Sequence, residues 1–156
     1  KFFMKTKILN YEKTHCKCCG QSLTYVSKLN KGVANMMLKI GRFVSAKGLN
    51  VFHPSKELVN KHFFTGNERN NMIHLKAHGF VAKHKEPGNW VITKKGGRFL
   101  KGFKVERIAV RSKETKHTIG YIEDEYTRIC DILKTDEPYW DGIDYEVISG
   151  RVVTQD

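Results

Sequence analysis

The apolar residues that follow Asn30 recur at helical spacing. Intervals of three and one place on a single stripe Val33, Met36, Met37, Ile40, Phe43 and Val44. This pattern predicts an amphipathic helix that packs its stripe in the core and ends at Gly48. Pro54, followed by Ser, Lys and Glu, predicts the start of a short second helix. The buried side of that helix is expected to contain Leu58, Val59 and Phe63.

The third predicted helix has an unusual polar face. Thr65 and Glu68 have the spacing of a capping box, so we expect a helix at 66–78 that ends before Gly79. At about 100° per residue, one side of it carries Glu68, Met72, Leu75, Lys76 and Gly79. The opposite side carries Asn67, Asn70, His74, Ala77 and His78, with Arg69 and Asn71 beside them. We expect this second side to face outward and to present amides and imidazoles.

Beyond Gly79 the pattern changes to short β-type segments. Residues 80–83 and 90–93 are predicted to form a hairpin around a turn rich in Pro, Gly and Asn. Thr93 then caps a further helix that ends near Gly102. The remaining chain is expected to contain a second hairpin at 104–122, a helix bearing Tyr126, Ile129, Cys130, Ile132 and Leu133, and a strand at 145–148.

Two segments of this region carry a pattern found in a known family. They are Leu75-Lys76-Ala77-His78-Gly79-Phe80-Val81 and Trp90-Val91-Ile92-Thr93-Lys94-Lys95-Gly96-Gly97-Arg98-Phe99-Leu100. Together with the order of elements they resemble the winged helix-turn-helix of bacterial, archaeal and phage proteins, over residues 30–102. The resemblance implies that helix 66–78 enters the major groove of DNA and that the wing, 80–93, contacts backbone or minor groove.

The fold class expected from this resemblance is α+β, with a winged helix-turn-helix of three helices, a two-stranded wing and a further helix. Residues 1–29 are then an N-terminal segment with a cysteine-rich knuckle. Residues 103–156 are predicted to form a β-hairpin and an acidic C-terminal part, a small additional α/β appendage to the domain at 30–102.

Charge is distributed unevenly along the chain. Its 156 residues include 28 Lys and Arg against 16 Asp and Glu, a net charge of +12. Residues 1–120 carry 25 basic and 6 acidic residues, or +19, whereas 121–156 carry 3 and 10, or −7. A basic body of this kind favours a polyanionic partner, because each neutralised phosphate releases counterions. The alternative is a lysine-rich surface that serves only solubility.

Double-stranded DNA is the partner that these observations favour. Asparagine can pair with adenine in the major groove, and a helix-turn-helix presents base-reading groups near the start of its recognition helix. On helix 66–78 the candidate residues are Asn67, Arg69, Asn70, Asn71 and His74. Phosphate contacts are expected from Lys83, His84, Lys85, Lys94, Lys95 and Arg98. We interpret the protein as a small phage or prokaryotic transcriptional regulator, a class that often forms homodimers on two half-sites.

The N-terminal cysteines have the spacing of a zinc knuckle. In Cys16-Lys17-Cys18-Cys19-Gly20, a CxxCG motif, Cys16 and Cys19 supply two of the four ligands that tetrahedral zinc requires. The candidates for the other two zinc ligands are His53, His62, Cys130 and residues of a second chain. The alternative interpretation is a turn with free thiols. The motif ahead of the predicted domain also resembles small winged-helix proteins of phages and mobile elements.

Other functional classes have less support in the sequence. We predict that the protein is not an enzyme, because the chain has no phosphate loop, dinucleotide fingerprint or serine elbow. Its apolar runs are too short for a membrane span and its start lacks a signal-peptide block, so we expect a cytoplasmic protein.

The second functional hypothesis is a protein-interaction module. In this interpretation a phage-encoded inhibitor engages a host nucleic-acid-handling complex, and its aromatic, acidic C-terminal part contacts a host or phage protein. The same part could instead fold against the basic face and compete with nucleic acid, because its charge is opposite.

Overall fold

The computed structural model describes residues 8–9, 15–59, 65–136 and 140–150, and the fold is of the α+β class. Its helices are α1 (Lys31–Lys47), α2 (Gly66–Asn70), α3 (Met72–Ala77), α4 (Lys94–Leu100), α5 (Ile129–Leu133) and α6 (Tyr145–Ser149). Its strands are β1 (Ile8–Leu9), β2 (Thr24–Lys28), β3 (Val81–Lys83), β4 (Trp90–Ile92), β5 (Val105–Glu106), β6 (Ile108–Ser112), β7 (Thr118–Ile122) and β8 (Tyr126–Thr127). Within these described ranges, no helix is long and apolar enough to cross a membrane.

Helix α1 begins and ends where the sequence predicts. The Asn30 side chain accepts a hydrogen bond from the Val33 N–H at 3.0 Å, which satisfies a free donor of the first turn. Gly48 ends the helix with φ +79°, a conformation that suits glycine. The whole predicted stripe is buried, so α1 forms the centre of the hydrophobic core.

The predicted second helix is a single turn of π-helix, Pro54–Val59. Its Leu58 N–H donates to the His53 carbonyl, five residues earlier, at 3.3 Å. Leu58 is fully buried, as expected, and Val59 packs at the edge of the core. Phe63 lies outside the described residues.

The predicted third helix forms with one interruption. Glu68 N–H donates to Thr65 Oγ1 and Thr65 N–H donates to Glu68 Oε1, each at 3.1 Å, which confirms the capping box. The helix breaks at Asn71, where the backbone has φ −84° and ψ 3°, and continues as α3. After Ala77 the chain turns at Gly79, with φ +76°.

The β3–β4 hairpin and α4 complete this part of the molecule. The two strands pair antiparallel, as predicted. Thr93 caps α4, because its hydroxyl oxygen accepts a hydrogen bond from the Gly96 N–H at 3.0 Å. Phe80 and Phe99 are fully buried and stack with ring centroids 4.4 Å apart, which fixes the hairpin against α4.

A four-stranded sheet lies against α3. Its strand order is β1-β7-β6-β2, with β1 parallel to β7 and the other neighbours antiparallel. β6 and β7 form the predicted second hairpin, whereas β5 pairs with β8 in a separate small sheet. Across the strands, Ala109 of β6 pairs with Ser27 of β2 on one side and with Tyr121 of β7 on the other. Ala109 and Tyr121 form a small hydrophobic cluster with Ala77 of α3.

The C-terminal residues belong to the same core as α1 and α4. Trp140 is buried, and its indole N–H donates to the Leu100 carbonyl at 3.1 Å. The prediction of a strand at 145–148 is wrong, since α6 occupies this segment and buries Ile148 against α1 and α4. Asp144 starts the helix by accepting hydrogen bonds from two backbone N–H groups. The core therefore continues beyond the predicted end of the winged-helix region.

Candidate nucleic-acid interface

The outer face predicted for helix 66–78 is only partly open. The expectation that Ala77 and His78 face outward is wrong, because the four-stranded sheet covers this end of α3 and both residues are buried. Thr118 Oγ1 donates to the Ala77 carbonyl at 2.7 Å, and the Tyr121 hydroxyl lies 3.4 Å from the same oxygen. The C-terminal half of this face therefore packs inside the molecule.

The N-terminal half of the face remains exposed. Asn67 and Asn71 are both accessible to solvent. His74, between the two halves, is half-buried, and its Nδ1 lies 3.3 Å from Ser27 Oγ of β2. Two further predicted residues have side chains outside the described part of the structure, Arg69 and Asn70. The geometry narrows the candidate base-reading surface to the start of the helix.

A groove of about 730 Å³ runs beside Asn71, between α1 and the edge strand β2. Its lining includes polar residues that the sequence prediction missed: Lys28, Asn30, Asn35, Lys39 and Arg42. A signal for three of them was present, because positions 35, 39 and 42 fall on the side of α1 opposite its apolar stripe. The groove joins their amide and cationic groups to the exposed start of the predicted recognition helix.

Glu68 is an acidic residue of this groove, and Lys39 neutralises it. The Lys39 ammonium lies 2.9 Å from both carboxylate oxygens. Burial opposes ionisation of Glu68, but the hydrogen bonds from Lys39 and the Thr65 backbone outweigh it and lower its pKa. The Glu68 carboxylate thus forms an ion pair with Lys39 and caps the helix through the Thr65 N–H.

The β3–β4 hairpin, the predicted wing, presents exposed lysines. Lys83 and Lys85 are exposed, and the Lys83 ammonium lies 5.8 Å from the centroid of the Trp90 ring. His84 is half-buried, and its Nδ1 accepts a hydrogen bond from the Glu86 N–H at 3.2 Å. The imidazole therefore shapes the turn of the wing.

The cations predicted on α4 divide between the surface and the interior. Lys94 and Arg98 are exposed, and the Arg98 guanidinium lies 4.5 Å from the Phe103 ring centroid. Lys95 turns inward instead: its ammonium lies 3.4 Å from Glu106 Oε2 and 4.0 Å from the Tyr121 ring centroid. Burial lowers the pKa of Lys95, and Glu106 partly offsets this. We therefore no longer assign a phosphate contact to Lys95.

His78 is a fully buried histidine at the junction of α3 and the sheet. Among the described residues, neither of its ring nitrogens has a hydrogen-bond partner. Its ring stacks on Phe80 with centroids 5.7 Å apart. Burial, with smaller contributions from the charges of Lys95 and His74, lowers its pKa from 6.5 to about 3. The imidazole is consequently neutral in the folded protein at ordinary pH.

We expect acidification to destabilise the protein through His78. The unfolded chain binds a proton at this residue near pH 6.5, whereas the folded chain does so near pH 3. Neutral His78 therefore contributes fully to the free energy of unfolding above pH 6.5. As the pH falls from 6.5 toward 3, this free energy decreases by about 1.4 kcal/mol per pH unit. In His78→Leu, the difference in unfolding free energy between about pH 7 and about pH 5 should shrink by about 2 kcal/mol.

Urea denaturation at the two pH values measures this difference. The exposed His117→Leu variant is the control and should keep the pH dependence of the parent protein. An unchanged pH dependence in His78→Leu contradicts the assignment.

The cysteine turn is compact but holds no recognisable metal cluster. Cys16 N–H donates to the Gln21 carbonyl at 2.8 Å, and Gly20 closes the turn with φ +71°. Hydrogen bonds from the Cys19 and Cys18 backbone lower the pKa of the Cys16 thiol and so favour the thiolate that binds metals.

Candidates for the remaining zinc ligands are scattered or undescribed. Cys130 is buried within α5, and His62 lies outside the described residues. In the described ranges, no group of three or more His, Cys, Asp or Glu side chains could hold a metal ion. Zinc binding by Cys16 and Cys19 stays a prediction.

Comparisons with known proteins provide no family for the chain. It matches no protein-family model, no curated protein and no solved structure. The functional argument therefore depends on the geometry and charge of the molecule itself.

Proposed function

We propose that the protein binds double-stranded DNA as a small prokaryotic or phage transcriptional regulator with a winged helix-turn-helix. The start of helix 66–78 enters the major groove, and exposed cations of the wing and of α4 contact the backbone. The order of α1, the π-turn, α2–α3, the β3–β4 hairpin and α4 supports this arrangement. So does the charge of residues 66–102, which carry eight Lys and Arg against two Glu.

The observation that carries the proposal is the exposure of Asn67, in the first turn of helix 66–78, and of Asn71, at its interruption, in a helix whose other end is anchored. Asparagine can pair with adenine through two hydrogen bonds, and recognition helices present their N-terminal residues to base edges. Nearby Glu68 is neutralised by Lys39 and does not repel phosphate as a free carboxylate would. The sheet fixes the far end of α3, and the capping box fixes the start of α2, so the backbone that carries the two asparagines is already ordered before binding.

The covered end of α3 limits how much sequence the helix can read. With Ala77 and His78 buried, base contacts are restricted to a few positions at the start of the helix. Phosphate contacts must then supply most of the affinity, as they do in many protein–DNA complexes. We therefore expect steep salt dependence and a short recognised sequence.

The proposal is tested with a duplex selected from a random pool. The double variant Asn67→Ala/Asn71→Ala should bind this duplex about 10-fold to 100-fold more weakly at fixed salt, because base-specific hydrogen bonds are lost. Its binding to a scrambled duplex should change little. Fluorescence anisotropy measures both dissociation constants.

Gln21→Ala removes an exposed amide from the cysteine turn and serves as the matched control. Its preference for the selected duplex should equal that of the parent protein. If the double variant keeps this preference as well, the start of helix 66–78 does not read bases.

A protein-interaction module is the second candidate, and the sheet over α3 favours it. This sheet covers half of the face that a DNA-binding helix would use. Its edge strand β2 also exposes apolar side chains, because Leu23, just before the strand, is 53% exposed and Val26, within it, is 56% exposed. A pull-down from nuclease-treated host lysate should then retain one stoichiometric protein. Loss of every partner after nuclease treatment contradicts this second candidate and agrees with DNA binding.

A further inference from the structure

The β6–β7 hairpin gathers cations around one aromatic ring. The Arg111 guanidinium carbon lies 5.5 Å from the centroid of the Tyr25 ring, and the Lys116 ammonium lies 4.9 Å from it. Lys116 also donates a hydrogen bond to the Tyr25 hydroxyl. Lys113 is exposed on the same turn. The turn therefore carries a net positive charge, with Arg111, Lys113 and Lys116 against the single carboxylate of Glu114.

The turn is fixed before any ligand binds. Lys116 N–H donates to the Ser112 carbonyl at 2.9 Å, and Arg111 Nε donates to the Lys116 carbonyl at 3.1 Å. Lys116 adopts φ +66°, a left-handed conformation that is uncommon for residues other than glycine. Ser112 Oγ accepts hydrogen bonds from two further backbone N–H groups of the turn. An anion bound here would thus meet a turn whose backbone, Arg111 and Lys116 are already ordered.

These cations are not used in ion pairs within the described part of the chain. The salt bridges there engage other residues: Lys39, Lys47, Lys95, Arg107 and Arg128. The Lys116 hydrogen bond lowers the pKa of Tyr25, and the charges of Lys116, Arg111 and Lys113 lower it further. The electrostatic potential around the tyrosine is thus positive, and a positive potential favours an anionic partner.

The cation group borders the predicted recognition helix. A cleft of about 360 Å³ lies beside the junction of the hairpin and α3, and its lining includes Ile73, Lys76, Arg111 and Lys116. Lys76 adds an exposed cation from the helix side. Ile73 is 45% exposed at the same place, an apolar surface that suits contact with sugar carbons. A polyanion held by the hairpin would therefore lie alongside α3.

We propose that the β6–β7 hairpin is a second backbone clamp, in which Arg111, Lys113 and Lys116 bind the phosphodiester backbone of DNA alongside α3. The inference rests on the proposed function for its choice of partner. It adds a contact surface outside the predicted wing, which would supply affinity that the covered C-terminal half of the helix cannot. The clamp is indifferent to sequence, because its cations contact phosphate oxygens.

The test uses the full chain and a fluorescent duplex of random sequence. Lys113→Gln/Lys116→Gln removes two cations from the turn, and Lys31→Gln/Lys134→Gln removes two exposed cations elsewhere as the matched control. Dissociation constants are measured by anisotropy between about 50 and about 200 mM salt, and thermal denaturation verifies that both variants are folded. The hairpin variant should bind about 10-fold more weakly, and its slope of log K against log salt should be smaller by about 2.

Equal affinities and slopes for the hairpin and control variants overturn the clamp, as does the absence of binding by the parent protein. Failure of base reading gives a different result. In that case Asn67→Ala/Asn71→Ala leaves the preference among duplexes unchanged, while the hairpin variant still loses affinity and slope. Conversely, if only the clamp is wrong, the preference for the selected duplex depends on the asparagines and the hairpin variant behaves like its control.

Discussion

Asn50→Ala should lower the free energy of unfolding by about 3 kcal/mol, since three buried hydrogen bonds are lost at once. Asn50 is 4% exposed and follows the end of α1. Its Nδ2 donates to the Ile92 carbonyl at 2.8 Å and to the Ile148 carbonyl at 3.1 Å, and its Oδ1 accepts from the Ile92 N–H at 3.0 Å. One amide thus joins β4 to α6, and alanine would leave these backbone groups buried without partners.

Urea denaturation of the parent protein and the variant measures this effect. Asn35→Ala is the matched control, because Asn35 is exposed on α1 and alanine favours helix. We expect the control to remain within about 0.5 kcal/mol of the parent. A loss of similar size in both variants contradicts the role assigned to Asn50.

Gly96→Ala is expected to have a comparable effect through steric overlap. A Cβ at this position would lie 2.2 Å from the Phe80 carbonyl oxygen and 3.0 Å from Ile92 Cγ2. The carbonyl cannot retreat freely, because it accepts a hydrogen bond from the Thr93 N–H at 2.9 Å. The variant must separate α4 from the hairpin, so we expect a loss of about 3 kcal/mol despite the better helix propensity of alanine.

Gly66→Ala provides the control for this substitution. Gly66 lies in the first turn of α2, as Gly96 lies in the first turn of α4, and a Cβ at Gly66 meets no atom of the described residues within 4 Å. Thermal denaturation should show an unchanged or slightly raised Tm for Gly66→Ala and a strongly lowered Tm for Gly96→Ala. Equal midpoints for the two variants would falsify the close packing of α4 on Phe80.

Elements defined by local signals could be predicted from the sequence. The Asn30 cap, the Thr65–Glu68 capping box and the Thr93 cap each use a side chain to bond a backbone group a few residues away. The glycines at the ends of α1 and α3 act through their own backbone conformation. Such signals do not depend on distant parts of the chain, which is why these boundaries were found.

The covered face of α3 could not be predicted in this way. Periodicity separates two sides of a helix, but it does not show whether another layer packs on the less apolar side. Ala77 is small and His78 can be buried in its neutral form, so both tolerate the sheet that sequence-distant strands bring over them. Lys94 and Lys95 illustrate the same limit, because adjacent helical residues differ by about 100° and one meets solvent while the other meets Glu106.

The prediction of a strand at 145–148 was wrong for a different reason. Four residues are too few to distinguish the period of a strand from that of a helix. In the structure Asp144 caps a helix at this segment, and α1 and α4 provide the surface against which Ile148 is buried.

The burial of Trp140 determines how this protein can be dissected and observed. A fragment that ended before this residue would lose an indole that fills the core and bonds to Leu100, so function is better mapped by point substitution than by truncation. The chain contains two tryptophans, and the other, Trp90, is half-buried on β4 beside Lys83 and packs against the same core cluster. Intrinsic fluorescence from the two indoles therefore follows unfolding of this core without any added label.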